Sequence, residues 1–248
     1  MVNQSRVALS EAGRDLLRFI AASDREVAGA VELPVLEIGP GELDPAALLA
    51  RERAFAGVVL DGTLVQTLRV GDHEGLCLLG PGDVLTAGAV ERSQLVLGAE
   101  CRAAAPARLV VLGRAFLLAV RRWPLLAAGL HARQGEQSDR IVLQAMICQL
   151  PRVDDRVLSL LWLLAERWGE VTPQGAAVPI PLTHGALGGL VGARRPTVTL
   201  ALSALRRRGA LVRTERGWLV LERPTGVGRR TRAERRTPAE RGAPLAGA

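Results

Sequence analysis

Residues 182–223 read LTHGALGGLVGARRPTVTLALSALRRRGALVRTERGWLVLER, and this stretch decides the fold. Thr183 can cap a helix with its hydroxyl, and Leu182 before it can pack as a staple. Leu187, Leu190 and Val191 follow at one apolar face. Gly192 breaks that helix. A second helix is expected from about Arg194, with Pro196 in its first turn, where a missing N–H costs nothing. Val198, Leu202 and Leu205 form its inner stripe, and Gly209 ends it after Arg206, Arg207 and Arg208. LVRTERGWLVLE then alternates about a turn at Glu215–Gly217, with Trp218 as an apolar anchor, which is the pattern of a hairpin wing. The outer face of the second helix carries Arg194, Arg195, Thr199, Ser203 and Arg206. Arginine forks match guanine edges and phosphates, and hydroxyls bond phosphates. Two helices and a wing with base-facing arginines make a reader of double-stranded DNA.

The pattern LTHGALGGLVGARRPTVTLALSALRRRGAL resembles the C-terminal DNA-binding domain of the Crp/Fnr superfamily of regulators, over about forty residues. The resemblance implies that Arg195 is a base-reading arginine and Thr197 a phosphate-contacting threonine. The chain departs from the family at two places. Pro196 stands where an acidic residue usually follows the arginine, and Leu200 where a second polar base reader is usual. The site residues expected for DNA are thus Thr183, Arg194, Arg195, Thr197, Thr199, Ser203 and Arg206.

The charge is distributed to suit that role. The chain has 248 residues, and all 32 basic ones are Arg, so lysine-dependent chemistry is excluded. Residues 1–181 hold 18 Arg against 21 acidic residues, a net −3, whereas 182–222 and 223–248 each carry a net +5. A polyanion-binding module at the C-terminal end has this signature. Apolar residues make up 48% of the chain but aromatics only 3%, so aliphatic side chains must fill the cores. Cys77, Cys101 and Cys148 are few and scattered, which suits a reducing cytoplasm rather than a disulfide framework. The start, MVNQSRVALSEAGRDLLRF, mixes charges and gives no sign of a secretory leader. The apolar run LSLLWLLA at 158–165 is far shorter than a membrane span, so no membrane partner is expected.

Ahead of the DNA reader, residues 1–30 read as a helix or two. From Leu33 to Arg53, prolines and glycines punctuate a loop, with a short helix at Pro45–Arg53. GVVLDGTLVQTLRVGD, EGLCLLGPGDVL, SQLVLGAECRAAA and ARLVVLG then give short strands with Asp-Gly and Pro-Gly turns, a roll or barrel of antiparallel strands. By the resemblance this is a cyclic-nucleotide-binding-like roll, LLGPGDVL being its glycine turn. The phosphate cassette is absent, however. A cyclic phosphate needs backbone amides, a fixed arginine and a carboxylate for the ribose. Here the equivalent stretch is LTAGAVERSQL, with no Gly-Glu pair and with Glu91 and Arg92 adjacent, so no cyclic-nucleotide cofactor is expected. His73 and Cys77 are four apart, but no further ligands complete a metal or haem site, and they read as a turn histidine and a strand cysteine. Asp61 and Asp83 read as turn residues, and Cys101 and Cys148 as core.

Arg114–Arg122 reads as a helix, and Pro124 as the first residue of a longer one reaching about Leu150. In the resembling family that helix joins the two domains and forms the dimer seam. The polar middle, HARQGEQSDR, leaves open a helix packed on its own roll instead. PRVDDRVLSLLWLLAERWG is a helix with Leu158, Leu161, Trp162 and Ala165 inward, and VTPQGAAVPIP a loop or small hairpin. After Arg223 the chain is poor in large apolar residues and rich in Arg, a disordered phosphate-binding or merely solvated tail.

The sequence therefore predicts an α+β chain: a degenerate β-roll domain with N-terminal helices (1–122), a connecting helix (123–150), a winged helix–turn–helix (151–223) and a basic tail (224–248). The expected function is a cytoplasmic DNA-binding transcriptional regulator of Crp/Fnr type, a homodimer on a two-fold-symmetric site, with RNA polymerase as a candidate further partner. The alternative is a ligand or cyclic-nucleotide sensor acting mainly through protein contacts. No HExxH, GxSxG or phosphate-binding glycine loop supports an enzyme.

Overall fold

The computed structural model describes residues 5–88, 93–96, 98–215 and 217–224. The chain opens with β1 (Arg6–Ala8), α1 (Leu9–Ala12) and α2 (Arg25–Gly29), two short 3-10 turns lying between the helices. There follow β2 (Glu32–Ile38), β3 (Gly41–Leu43), α3 (Pro45–Arg51), β4 (Ala56–Asp61), β5 (Leu64–Val70), β6 (His73–Leu79), β7 (Val84–Thr86), β8 (Gly98–Ala103) and β9 (Ala107–Leu112). Then come α4 (Arg114–Arg122), α5 (Leu125–Cys148), α6 (Val153–Trp168), β10 (Glu170–Thr172), β11 (Gly175–Val178), α7 (His184–Val191), α8 (Arg195–Arg207), β12 (Leu211–Thr214) and β13 (Gly217–Val220). Two antiparallel sheets, ordered β1-β2-β9-β4-β7 and β3-β8-β5-β6, form the roll. A third, β10-β11-β13-β12, carries the wing.

The Asp61–Gly62 turn shows how the sequence builds the roll. Gly62 has φ +85°, and its N–H is bonded by the Asp61 side chain at 2.8 Å. A Cβ there would stand 2.7 Å from the Pro106 carbonyl, so only glycine lets β4 turn back into β5. Inside the roll, Val59, Leu64, Leu79, Leu85 and Leu109 are buried. A second core joins the N-terminal helices to Val110, Leu112, Phe116 and Leu126. The third core, around Leu161, Leu187, Leu202 and Trp218, also takes in Val65 and Leu78 of the roll. Among the described residues no helix is long and apolar enough to cross a membrane.

One local expectation needs correction. The segment expected as a loop from Leu33 is the strand β2, paired with β9 from Val35 to Ile38. Pro34 is tolerated because it lies before the β9 ladder begins, opposite Arg6 of the three-residue β1. The segment before β2, expected as a helix or two, carries the short helices α1 and α2, with the strand β1 ahead of them.

The long helix α5 is turned inside out relative to a simple amphipathic reading. Its polar residues face its own chain. Arg133, 3% exposed, pairs with Asp15 and donates to the Ala12 carbonyl at 3.1 Å. Burial pushes the Asp15 carboxyl up, but the hydrogen bond and charge of Arg133 outweigh it and hold Asp15 below the usual carboxylate range. Gln137 bonds both the N–H and the carbonyl of Val84, at 2.8 and 3.1 Å. Arg140 pairs with Asp83. Gln144 donates to Leu76 of the roll (2.8 Å) and to Leu190 of α7 (3.0 Å). These side chains recur at steps of four, three and four, one face of a helix. Leu125, Val142, Leu143 and Met146 are left exposed.

The roll and the C-terminal unit are joined through the turn before β7. Asp83 is fully buried; it accepts from the Gly80 N–H (3.1 Å), pairs with Arg140 of α5 and meets Arg167 of α6 at 3.3 Å. The Trp168 indole donates to the Pro81 carbonyl at 3.2 Å. Gly189 of α7 lies against Leu76, where any Cβ would overlap the leucine.

Candidate nucleic-acid interface

Each part of α7 and α8 has a local cause. Thr183 stands at the cap with φ −77°, ψ 161°, and its hydroxyl accepts the Ala186 N–H at 3.1 Å. Gly192 takes the left-handed conformation, φ +62°, ψ 44°, which ends α7 and lets α8 begin within three residues. Arg194 is the extended cap residue of α8, Arg195 its first helical residue, and Pro196 occupies the first turn. Val198, Ala201, Leu202 and Leu205 bury the inner face. The other side leaves Arg194, Arg195, Pro196, Thr197, Thr199, Leu200, Ser203 and Arg206 exposed. All seven residues expected from the sequence to meet DNA are therefore at the surface; six of them lie on α8 or its cap, and Thr183 caps α7.

The electrostatics separate the arginines into two groups. Among the described residues, Arg194, Arg195, Arg206 and Arg207 make no ion pair and no hydrogen bond through their guanidinium groups. Arg208 is held between Asp154 (3.2 Å) and Glu222 (3.0 Å). The hydrogen bond from Arg152 first, then its charge and that of Arg208, hold the Asp154 carboxyl below its ordinary range. Arg156 donates to the Leu150 carbonyl at 2.6 Å and reaches the last carbonyls of α7. Two unneutralised cations at the N-terminus of α8 oppose the helix dipole.

Two of the hydroxyls expected to meet DNA, those of Thr199 and Ser203, are hydrogen-bonded within α8. Thr199 donates to the Arg195 carbonyl at 3.0 Å, and Ser203 to the Thr199 carbonyl at 2.9 Å. Their protons are used inside the helix. Thr199 also lies 3.0 Å from Nδ1 of His184, the first residue of α7. Sequence reasoning missed His184, because nothing in the spacing shows that a residue following one helix cap meets one fifteen places later. It also missed Arg213 of the wing, whose guanidinium stacks 4.4 Å from the Trp218 ring and donates to the Leu182 carbonyl at 3.4 Å. Trp218 itself is 3% exposed and anchors the wing.

The roll contains a cavity of about 540 Å³ bordered by Glu42, Asp44, Gln66, Gly88, Glu100 and Cys101 among others. No arginine borders it among the described residues. Ala89, Val90, Glu91 and Arg92, on which the reading of a missing phosphate cassette turns, lie outside the described residues, as does the basic tail beyond Pro224. His73 and Cys77 lie on the same strand, β6, and among the described residues no group of three or more His, Cys, Asp or Glu is placed to hold a metal. Burial pushes the Cys101 thiol up to about 11, and burial with the nearby Asp83 charge raises Cys77 as well, so neither is a ready thiolate.

Residues 155–226 match the family model of the Crp-like helix-turn-helix domain. The fold as a whole is similar to a CooA mutant from Carboxydothermus hydrogenoformans, at 18% identity and a TM-score of 0.58, covering 88% of this chain and 93% of that one. It is similar also to FixK2 from Bradyrhizobium japonicum, at 16% identity and a TM-score of 0.56, covering 77% of this chain and 92% of the other. No curated protein matches by sequence.

Proposed function

We propose that this chain, whose residues 155–226 match the Crp-like helix-turn-helix model, is a DNA-binding transcriptional regulator of the Crp/Fnr type that acts as a homodimer on a two-fold-symmetric site and is not controlled by cyclic nucleotide. The observation that carries the reading is the exposed face of α8, with Arg194, Arg195 and Arg206 free of acidic partners among the described residues. Arg195 reads bases, and Arg194, Thr183, Thr197 and Arg206 position the backbone, in this reading. A dimer would set the two α8 helices about one helical turn, ~34 Å, apart. In this reading the roll runs to 122, the connecting helix to 150 and the DNA reader to 223.

The surface of α5 supports the dimer. Val142 is 60% and Met146 62% exposed, and Leu125 and Leu143 share the outer side of the helix. Arg133, Gln137 and Arg140, from the polar middle that argued against a seam, are spent on the chain's own N-terminal part, which leaves this apolar face for a partner. Val142→Glu combined with Met146→Glu should yield monomers by sedimentation. Binding to a two-half-site DNA should fall by at least about 100-fold, as the second contact is no longer intramolecular. A double variant that stays dimeric would show that α5 is not the seam.

The carboxylates bordering the roll cavity support independence from cyclic nucleotides. Glu42 and Asp44 would repel a cyclic phosphate, and Glu100 is already paired with Arg69 at 3.2 Å. Calorimetry with cyclic AMP and cyclic GMP at millimolar concentration should give no binding heat; micromolar binding would overturn this part of the proposal. The genome-wide set of sites captured by the purified protein would give the operator and its symmetry together.

A further inference from the structure

Thr199 stands in a row with Arg195 and Ser203, at i, i+4 and i+8 on the exposed side of α8. Its hydroxyl has two neighbours, the Arg195 carbonyl and Nδ1 of His184, each at 3.0 Å. A carbonyl can only accept, so the one hydroxyl proton goes there. With the hydroxyl proton on that carbonyl, the second contact is made by the Nδ1–H tautomer of the histidine ring, which donates to Thr199 Oγ1. The result is a directed chain, His184 Nδ1–H to Thr199 Oγ1–H to Arg195 O, crossing from the start of α7 to the start of α8. Thr199 is left with one free lone pair and no proton.

That arrangement changes what Thr199 can recognise. In the major groove, adenine and cytosine present amino donors, whereas guanine O6 and thymine O4 only accept. An unconstrained threonine hydroxyl serves either kind of partner. We propose that His184 is a positioning residue that fixes Thr199 as a hydrogen-bond acceptor, so that each half-site is read for an amino-bearing base, adenine or cytosine, where Thr199 meets the groove. The inference rests on the reading above that α8 is the recognition helix. His184 acts through Thr199, and the contact also ties the angle between the two helices to the first turn of α8.

The test is selection from a randomised double-stranded DNA pool with the full chain and its variants. The parent protein should enrich adenine or cytosine at one position of each half-site. His184→Ala removes the donor and lets the hydroxyl turn, so the preference there should fall about five-fold, the worth of one hydrogen bond. His184→Asn places an amide N–H close to where the ring Nδ1–H was and should restore it. Thr199→Val should abolish the preference and Thr199→Ser should keep it. A merely structural role for His184 would lower affinity for all sequences alike, and this result overturns the proposal. So does a His184→Ala protein that keeps the preference, an Asn variant no better than Ala, or a parent that selects guanine or thymine there. If His184→Ala unfolds, judged by its circular dichroism melt, the Asn, Val and Ser variants decide alone. Arg195→Ala in the same selection separates the two readings: unchanged guanine preference would sink the role of Arg195 and leave the result on His184 standing.

Discussion

Replacing Arg195 with alanine should cost about 1–3 kcal/mol per half-site on the preferred DNA, roughly five- to 150-fold each, and relax the choice at one guanine. The arginine is the first helical residue of α8, is exposed, and among the described residues has no acidic partner to compete with DNA. A guanidinium fork in that place can bond guanine O6 and N7 together. Its neighbours add little polar readout. Pro196 has no side-chain acceptor, and Leu200, 72% exposed, offers only an apolar contact suited to a thymine methyl. Arg206→Ala should instead weaken binding to all sequences similarly and lower the salt slope by about one, as loss of a phosphate contact does. Titrations of both variants on the preferred and on scrambled DNA, at two salt concentrations, separate these effects. Equal losses on both DNAs for Arg195→Ala would remove it from base reading.

The second large effect belongs to Asp83. Its carboxylate is buried and joins three parts of the chain: the Gly80 turn, Arg140 of α5 and Arg167 of α6. Asp83→Ala leaves two arginines facing each other without their anion. Removing one partner of a fully buried pair costs roughly 3–5 kcal/mol. Arg140 and Arg167 keep 19% and 26% of their side-chain surface in water, so about 2–3 kcal/mol is expected here, as both can turn outward. The loss should fall on the joint rather than on either core. Thermal unfolding should therefore separate into two transitions, and proteolysis should begin near Leu150–Arg152. A single transition at the parent temperature would mean that Asp83 does not hold the two parts together.

How much of this was legible in the sequence depended on whether a residue's role was local. Thr183, Gly192, Pro196 and Gly209 announce the ends of α7 and α8 by their own backbone chemistry, and the two helices run as their spacing indicated. The Asp-Gly and Pro-Gly turns of the roll are legible for the same reason. Pro34 misled because a proline in a strand is a break unless the pairing on that side starts later, which only the sheet reveals. The polar middle of α5 was ambiguous because a sequence shows that Arg133, Gln137, Arg140 and Gln144 share a face, but not what that face touches. The contact between Leu76 and Gly189, 113 residues apart in the numbering, leaves no local trace at all. At the candidate interface the exposed arginines were visible from spacing. The acidic partners of Arg208, and the bonds that occupy Thr199 and Ser203, were not.

Selection of DNA from a randomised pool by the full chain decides whether it reads DNA as a dimer. A dimeric reader enriches a two-fold-symmetric sequence, with a guanine in each half and the half-sites about one helical turn, ~10 base pairs, apart. Enrichment of no sequence, or of a single asymmetric site bound by one copy of the chain, would contradict that reading.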